Sequence, residues 1–399
     1  MRERTIPYYK KTEILCLTGL LFLLPFSGMT SIKEILFFLL LAAFITDKLS
    51  DHRNIFRTPL PNKSLHILII VSFVWAVIGL IQAIDPAYSL NEIATKMSKQ
   101  YLLYFLAYLI VREIAHGKVK GLLYPFIVSA IIMSIYACYQ FYQFPEFFVN
   151  RVQGFTGAFY RLSTFLVLAI PVVTVLAFSF QGLLKHTLLF CIPIMFTALF
   201  FTFTRGAWIA VIIELLILVF LFLKKYRVPF LVLTVVVFLI VVGLSYKSII
   251  SHELITRGSE QPRIEAIKLS SEIIRKHPFI GIGYGKDTFS KYYPDIYVKH
   301  SHNIFLNTAV ETGIPGLAVL IAMFGIVMKN LIRAILHETD FEKKLILSGI
   351  FASFIGFLCL NTFDYMYHGW PGQMFWMLIG IGHALMQPGS KTGNSQIFL

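Results

Sequence analysis

Three positions in this chain have the chemistry to act together on an anion. Arg205 stands in Thr202-Phe203-Thr204-Arg205-Gly206-Ala207-Trp208, between two long apolar runs. Arg263 stands in Pro262-Arg263-Ile264-Glu265-Ala266, in the first turn of a predicted helix. His302 stands in Ser301-His302-Asn303-Ile304-Phe305-Leu306, where a polar segment meets the next apolar run. A guanidinium holds a phosphate through two parallel hydrogen bonds. A neutral imidazole accepts a proton near neutral pH. Two arginines and a histidine at one boundary would hold an anionic leaving group and activate a nucleophile beside it.

Singly, each has an ordinary reading. Arg205 can be a snorkelling interfacial arginine, Arg263 a solvated helix residue and His302 a structural histidine. His300 competes with His302 for the role of base. Asn303 or backbone would fix the imidazole tautomer. Supporting candidates are Tyr160 and Arg161, with Arg151, in the segment 151–161, Glu311 in Glu311-Thr312-Gly313, and Asp364, with His368, beside Trp370. There is no paired acidic motif of metal-dependent glycosyl transfer, no phosphate loop, no Gly-x-Ser-x-Gly and no zinc-type His/Cys spacing. No metal and no cofactor is therefore expected. Gly281-Ile282-Gly283-Tyr284-Gly285 has glycines at alternate positions but lacks the strand that precedes a nucleotide loop, so a flexible turn is expected.

The elements that must position these residues are membrane helices. Of the 399 residues, 57% are hydrophobic and 14% charged, against about 25% charged in a soluble protein. We read an all-α polytopic bundle of about twelve transmembrane helices. The domains are spans one to nine in 1–246, a mainly helical polar segment at 247–303, spans ten to twelve in 304–387 and a tail at 388–399. Within the polar segment, Pro262 opens a helix that Pro278 ends, with Ile264, Ile267 and Ile274 and the nearby Ala266, Leu269 and Ile273 as its apolar stripe. Gly313-Ile314-Pro315-Gly316 would break the tenth span from a short helix before it.

The net charge of +14 could suggest nucleic acid, but the basic residues cluster beside apolar runs, as orientation signals do. With the N-terminus inside, twenty lysines and arginines fall in the inner segments against six in the short outer loops. Both termini are then cytoplasmic and 247–303 is outside. The four cysteines, Cys16, Cys138, Cys191 and Cys359, lie in apolar runs and read as small apolar residues. The candidate residues thus share one outward face, suited to an anionic substrate carried on a lipid.

These motifs, with Glu311-Thr312-Gly313 continuing His302-Asn303, resemble the bacterial O-antigen ligase family, within the wider group that includes O-antigen polymerases and some protein O-oligosaccharyltransferases. The resemblance implies an inner-membrane enzyme with its active site facing the periplasm. It implies an inverting, metal-independent transfer of a glycan from undecaprenyl pyrophosphate to lipid A–core oligosaccharide. Arg205 and Arg263 would bind the donor pyrophosphate and His302 would be the general base. The partners are the lipid-linked glycan donor, the lipid A–core acceptor and membrane lipids, and no nucleic acid is expected. A polymerase would use the same donor and a second lipid-linked glycan. A transporter or flippase would instead need facing charges at mid-membrane. Glu214 is the one clear acidic residue well within a span, with no basic partner evident at that depth.

Overall fold

The structure, a computed structural model, describes residues 8–50, 63–114, 119–143, 151–222, 260–296 and 300–387. In chain order the helices are α1 (Tyr8–Leu23), α2 (Thr30–Ser50), α3 (Lys63–Ile78), α4 (Pro86–Glu92), α5 (Ser98–Glu113), α6 (Val119–Gln143) and α7 (Phe159–Ser179). They continue as α8 (Gly182–Phe201), α9 (Arg205–Phe222), α10 (Glu260–Lys276), α11 (Thr288–Tyr292), α12 (Ile304–His337), α13 (Phe341–Asn361) and α14 (Trp370–Leu385). Among the described residues there is no strand.

Among the described residues, seven helices are long and apolar enough to cross a membrane: α3 with the turn that extends it to Ile81, and α6, α7, α8, α9, α12 and α13. Lipid offers the backbone no hydrogen-bond partner, so apolar runs of this length close their bonds within each helix. The twelve expected spans are met in part. At 16 residues each, α1, α5 and α14 are shorter, and α2 carries Lys33, Glu34, Asp47 and Lys48 near its ends. The expected ninth span, 228–246, the polar residues 247–259 and the tail 388–399 lie outside the described residues. The four cysteines are free, as their apolar setting suggests.

The centre of the bundle is α5 against α14, and α7 and α9 against α13. Trp376, Tyr104, Tyr108, Phe165, Phe357 and Phe375 are fully buried there. Such rings fill the core, and the Tyr104 hydroxyl meets His383 Nδ1 there at 2.8 Å.

The α12 helix is broken where Gly313-Ile314-Pro315 predicts. Gly313 takes φ 73° and ψ −179° inside it, a left-handed φ that glycine adopts without steric cost. The carbonyls freed by the break find partners elsewhere. Ile282 N–H donates to the Val310 carbonyl at 2.9 Å and Gly283 N–H to the Glu311 carbonyl at 3.2 Å. The Trp75 indole donates to the Thr312 carbonyl at 2.9 Å, and Ile314 N–H donates to the Pro278 carbonyl at 2.8 Å. A break whose carbonyls are buried needs such substitutes.

These bonds correct the reading of 281–285 as a flexible turn. The segment is buried and runs against the break. A Cβ on Gly281 would lie 2.5 Å from the Glu311 carbonyl carbon. Gly281 is there because two backbones touch, while a Cβ on Gly283 would meet Ala83 and Ser89 and one on Gly285 would meet Tyr88 and Glu92.

The α10 helix forms as expected, and its stripe is met in part: Leu269 and Ile274 are partly buried against the cluster that holds Ala266 and Ile273. Ala266, Ser270 and Ile273 are buried, and Ala266 and Ile273 pack with Ile282, Phe289 and Val310. Ile264 and Ile267 are about half exposed, at 55% and 49%. The buried stripe is narrower than the isoleucines suggest, because isoleucine on a helix does not by itself say which neighbour it meets.

Candidate active site

The ends of α8 and α13 and the starts of α9, α12 and α14 lie together. Asn303 fixes the start of α12. Its side-chain oxygen accepts from Phe305 N–H at 2.8 Å and Leu306 N–H at 3.1 Å, an N-cap. Its amide donates to the Thr362 carbonyl at 3.0 Å, which ties the His302 segment to the loop after α13. Asn303 thus positions backbone rather than the imidazole.

Asp364, in the loop that Asn303 holds, is the group that meets the ring. Its Oδ1 lies 3.4 Å from His302 Nδ1. The same carboxylate accepts from Tyr365 N–H at 2.8 Å, which fixes its direction. Burial alone would push the Asp364 carboxyl up, but the bond from His302 and the nearby His300 hold it below its usual range. The side chains of His302 and Asp364 keep 32% and 19% of their surface, so the pair stays reachable from outside. His302 has φ 50° and Phe203, two residues before Arg205, has φ 51°. Among the described residues these are the two non-glycine positions with positive φ. Such conformations cost energy and cluster at functional sites.

The His300 ring packs edge-on against His302, with centroids 4.2 Å apart. It is buried, and burial first, then His302, lowers its pKa from 6.5 to about 4. Next to it, the Ser301 hydroxyl accepts from Ser270 on α10 at 2.8 Å. That contact seats α10 beside the histidine segment.

Arg205 and Arg263 lie close enough to act on one neighbour. Arg205 is the exposed first residue of α9, and Arg263 is exposed on α10. Gly206 packs on Phe363, the neighbour of Asp364. Val152 N–H donates to the Phe201 carbonyl at 3.3 Å, which sets Arg151 beside the same turn. Burial, then the guanidinium groups of Arg205 and Arg263, lower the Arg151 pKa. Its guanidinium stands 4.5 Å over the Phe159 ring. Arg161 lies 6.0 Å over the Tyr160 ring, at the start of α7. A helix start is the positive end of its dipole. Arg205 and Arg263 add charge there, which attracts an anion.

Glu311 is placed elsewhere. It is 3% exposed and lies in a deeper network. Asn307 donates to it at 2.7 Å and the Tyr365 hydroxyl at 3.2 Å. His368 bridges Glu311 and Glu92, with 3.6 Å on each side. Nothing in the sequence singles out Glu92, since its partners lie more than 200 residues away. Glu214 is fully buried and neither carboxylate oxygen has a hydrogen-bond partner among the described residues.

Residues 190–321 match the model of the O-Antigen ligase family. The matched stretch contains Arg205, Arg263, His302 and Glu311; Arg151 and Asp364 lie outside it. No curated protein matches the chain. Among solved structures, a chain described under "Structural coordination of polymerization and crosslinking by a peptidoglycan synthase complex" aligns over 82% of this chain and 96% of that one, at 15% identity and a TM-score of 0.48. The protein is a multi-pass membrane protein whose residues 190–321 match the O-Antigen ligase family model, the family its motifs resemble.

Proposed function

We propose that this chain is an O-antigen ligase. It transfers a glycan from undecaprenyl pyrophosphate to a hydroxyl of lipid A–core oligosaccharide, at the end of the bundle that carries His302. That end faces the periplasm and both termini are cytoplasmic, as the bias of basic residues favours. The O-antigen ligase domain supports glycosyl transfer in the membrane. The observation that carries the reading is His302 beside Asp364, 3.4 Å apart, next to helix starts that bear Arg205 and Arg263.

His302 donates its Nδ1 proton toward Asp364, which leaves the Nε2 lone pair for the acceptor hydroxyl. A 3.4 Å contact is long for this bond, and such bonds tighten when substrate closes the site. The acceptor oxygen attacks the anomeric carbon, its proton passes to Nε2, and the bond from that carbon to the pyrophosphate oxygen breaks. Inversion follows from attack opposite the leaving group. The pyrophosphate leaves with more negative charge than it had in the donor. Guanidinium groups fixed around it stabilise that charge as it forms. Arg205 and Arg263 are the primary clamp, with Arg151 a third guanidinium behind them. Arg161 and Tyr160 flank the glycan path.

The test is transfer by purified protein. Undecaprenyl-linked glycan and lipid A–core are mixed with it and the products resolved on gels. Glycosylated lipid A–core is the expected product. Longer glycan on the undecaprenyl carrier would make the chain a polymerase, and no transfer to either acceptor would remove the reading.

A further inference from the structure

We propose that His300, His302 and Asp364 form a binding site for a divalent transition-metal cation of the zinc class, and that its occupation blocks transfer. The blockade rests on the reading of His302 as base; the binding does not.

One ligand atom from each residue lies within 4.8 Å of the other two. Two imidazoles and a carboxylate are ligands that zinc takes. Three protein ligands with one open position is also the pattern of reachable zinc sites. The His302–Asp364 separation of 3.4 Å is beyond the usual ~2.7–3.2 Å of a hydrogen bond. It equals an edge of a tetrahedron whose bonds are ~2.0–2.1 Å, roughly 3.3–3.4 Å. The pair is therefore spaced as two ligands of one ion. The widest separation in the trio must tighten on binding, and a small turn of an imidazole does that.

The surroundings hold the ligands from behind. Tyr365 N–H fixes Asp364. Asn303 locks the backbone after His302 to the Thr362 carbonyl. The Ser270–Ser301 bond fixes the residue between the two histidines. Outer partners of this kind orient metal ligands. The positive charge of Lys286 beside His300 opposes a cation. A reversible site that a chelator empties is the expected result, not a permanent structural one.

Coordination through Nδ1 of His302, the atom that faces Asp364, leaves the remaining ring proton on Nε2. The imidazole then has no lone pair for the acceptor hydroxyl. No bond to substrate and no redox change is involved.

The experiment begins with protein stripped by EDTA, titrated with zinc chloride and read by calorimetry and zinc X-ray absorption. One saturable zinc per chain, bound by nitrogen and oxygen, is expected. His300→Ala and Asp364→Asn, each shown to be folded by melting, should weaken zinc about tenfold or more. Zinc should inhibit transfer by the wild type, and EDTA should restore it. His300→Ala should retain measurable transfer and resist zinc. Absence of saturable binding, sulfur ligation from one of the four free cysteines, or equal binding by both variants and wild type would overturn the site. Zinc bound at the trio without inhibition would overturn the blockade. If zinc binds as expected but the wild type transfers no glycan, the metal site stands and the functional reading falls.

Discussion

Two polar clusters sit at the same end of this bundle, one shallow and one deep, and they are built differently. The shallow cluster is His302 with Asp364 and His300. Its key separation is 3.4 Å, His302 and Asp364 stay partly open, and His302 holds an unfavourable backbone conformation. The deep cluster is Glu311 with Asn307, Tyr365, His368 and Glu92. Glu311 is nearly fully buried and accepts at 2.7, 3.2 and 3.3 Å. Buried polar groups stabilise a fold when they are satisfied. Groups left loose and strained at a surface are maintained at a cost to stability, which is the pattern of a reactive site. On the proposed reading, two acids at the same end of the bundle, Glu311 and Asp364, take opposite jobs according to burial.

The comparison can be broken most directly at His302. His302→Ala should lower transfer by roughly 10²–10⁴-fold, the usual contribution of a general base, while melting and donor binding stay near wild type. Native transfer by the folded variant would return both clusters to a structural role.

Glu311→Ala should do the reverse. It leaves Asn307 and Tyr365 without their acceptor, at about 1–3 kcal/mol for each buried group left unpaired. The melting temperature should drop sharply, and the folded fraction that survives at low temperature should still transfer. A stable but inactive Glu311→Ala protein would move Glu311 into the chemistry.

Arg205→Lys separates charge from geometry at the rim of the shallow cluster. Lysine keeps the charge and loses the bidentate contact. Donor affinity should fall about tenfold, the size of one charge-assisted hydrogen bond, with melting unaffected. Equal donor binding by Arg205→Lys and by wild type would remove the clamp from this arginine.

Acid gives the smallest effect. His300 has a pKa of about 4 in the fold against 6.5 ordinarily. As pH falls the unfolded chain takes up this proton first, so His300 lowers stability progressively between about 6.5 and about 4. Above that window its contribution is complete. Melting temperature should therefore decline on acidification, and His300→Ala should flatten part of the decline. A melting temperature that rises from pH 7 to pH 5 would contradict a neutral buried His300.

Local patterns are legible in the chain itself. Runs of apolar residues call for helices because lipid leaves the backbone no other partner. Pro262 falls in the first turn of α10 and Pro278 follows its end, and Gly313 with Pro315 marks the break in α12, because φ restrictions act on a residue whatever surrounds it. The arginine and histidine motifs lie in the stretch that matches the O-Antigen ligase family model. Tertiary structure alone decides which side chains meet. Asp364 reaches His302 across 62 positions, and Glu92 reaches Glu311 through His368. The glycines of 281–285 look like a loop until Gly281 meets the break in α12 and Gly283 and Gly285 meet Ala83, Ser89, Tyr88 and Glu92. Periodicity reports the faces of a single helix. Contacts between distant segments depend on how the helices pack, and no spacing in the chain records that.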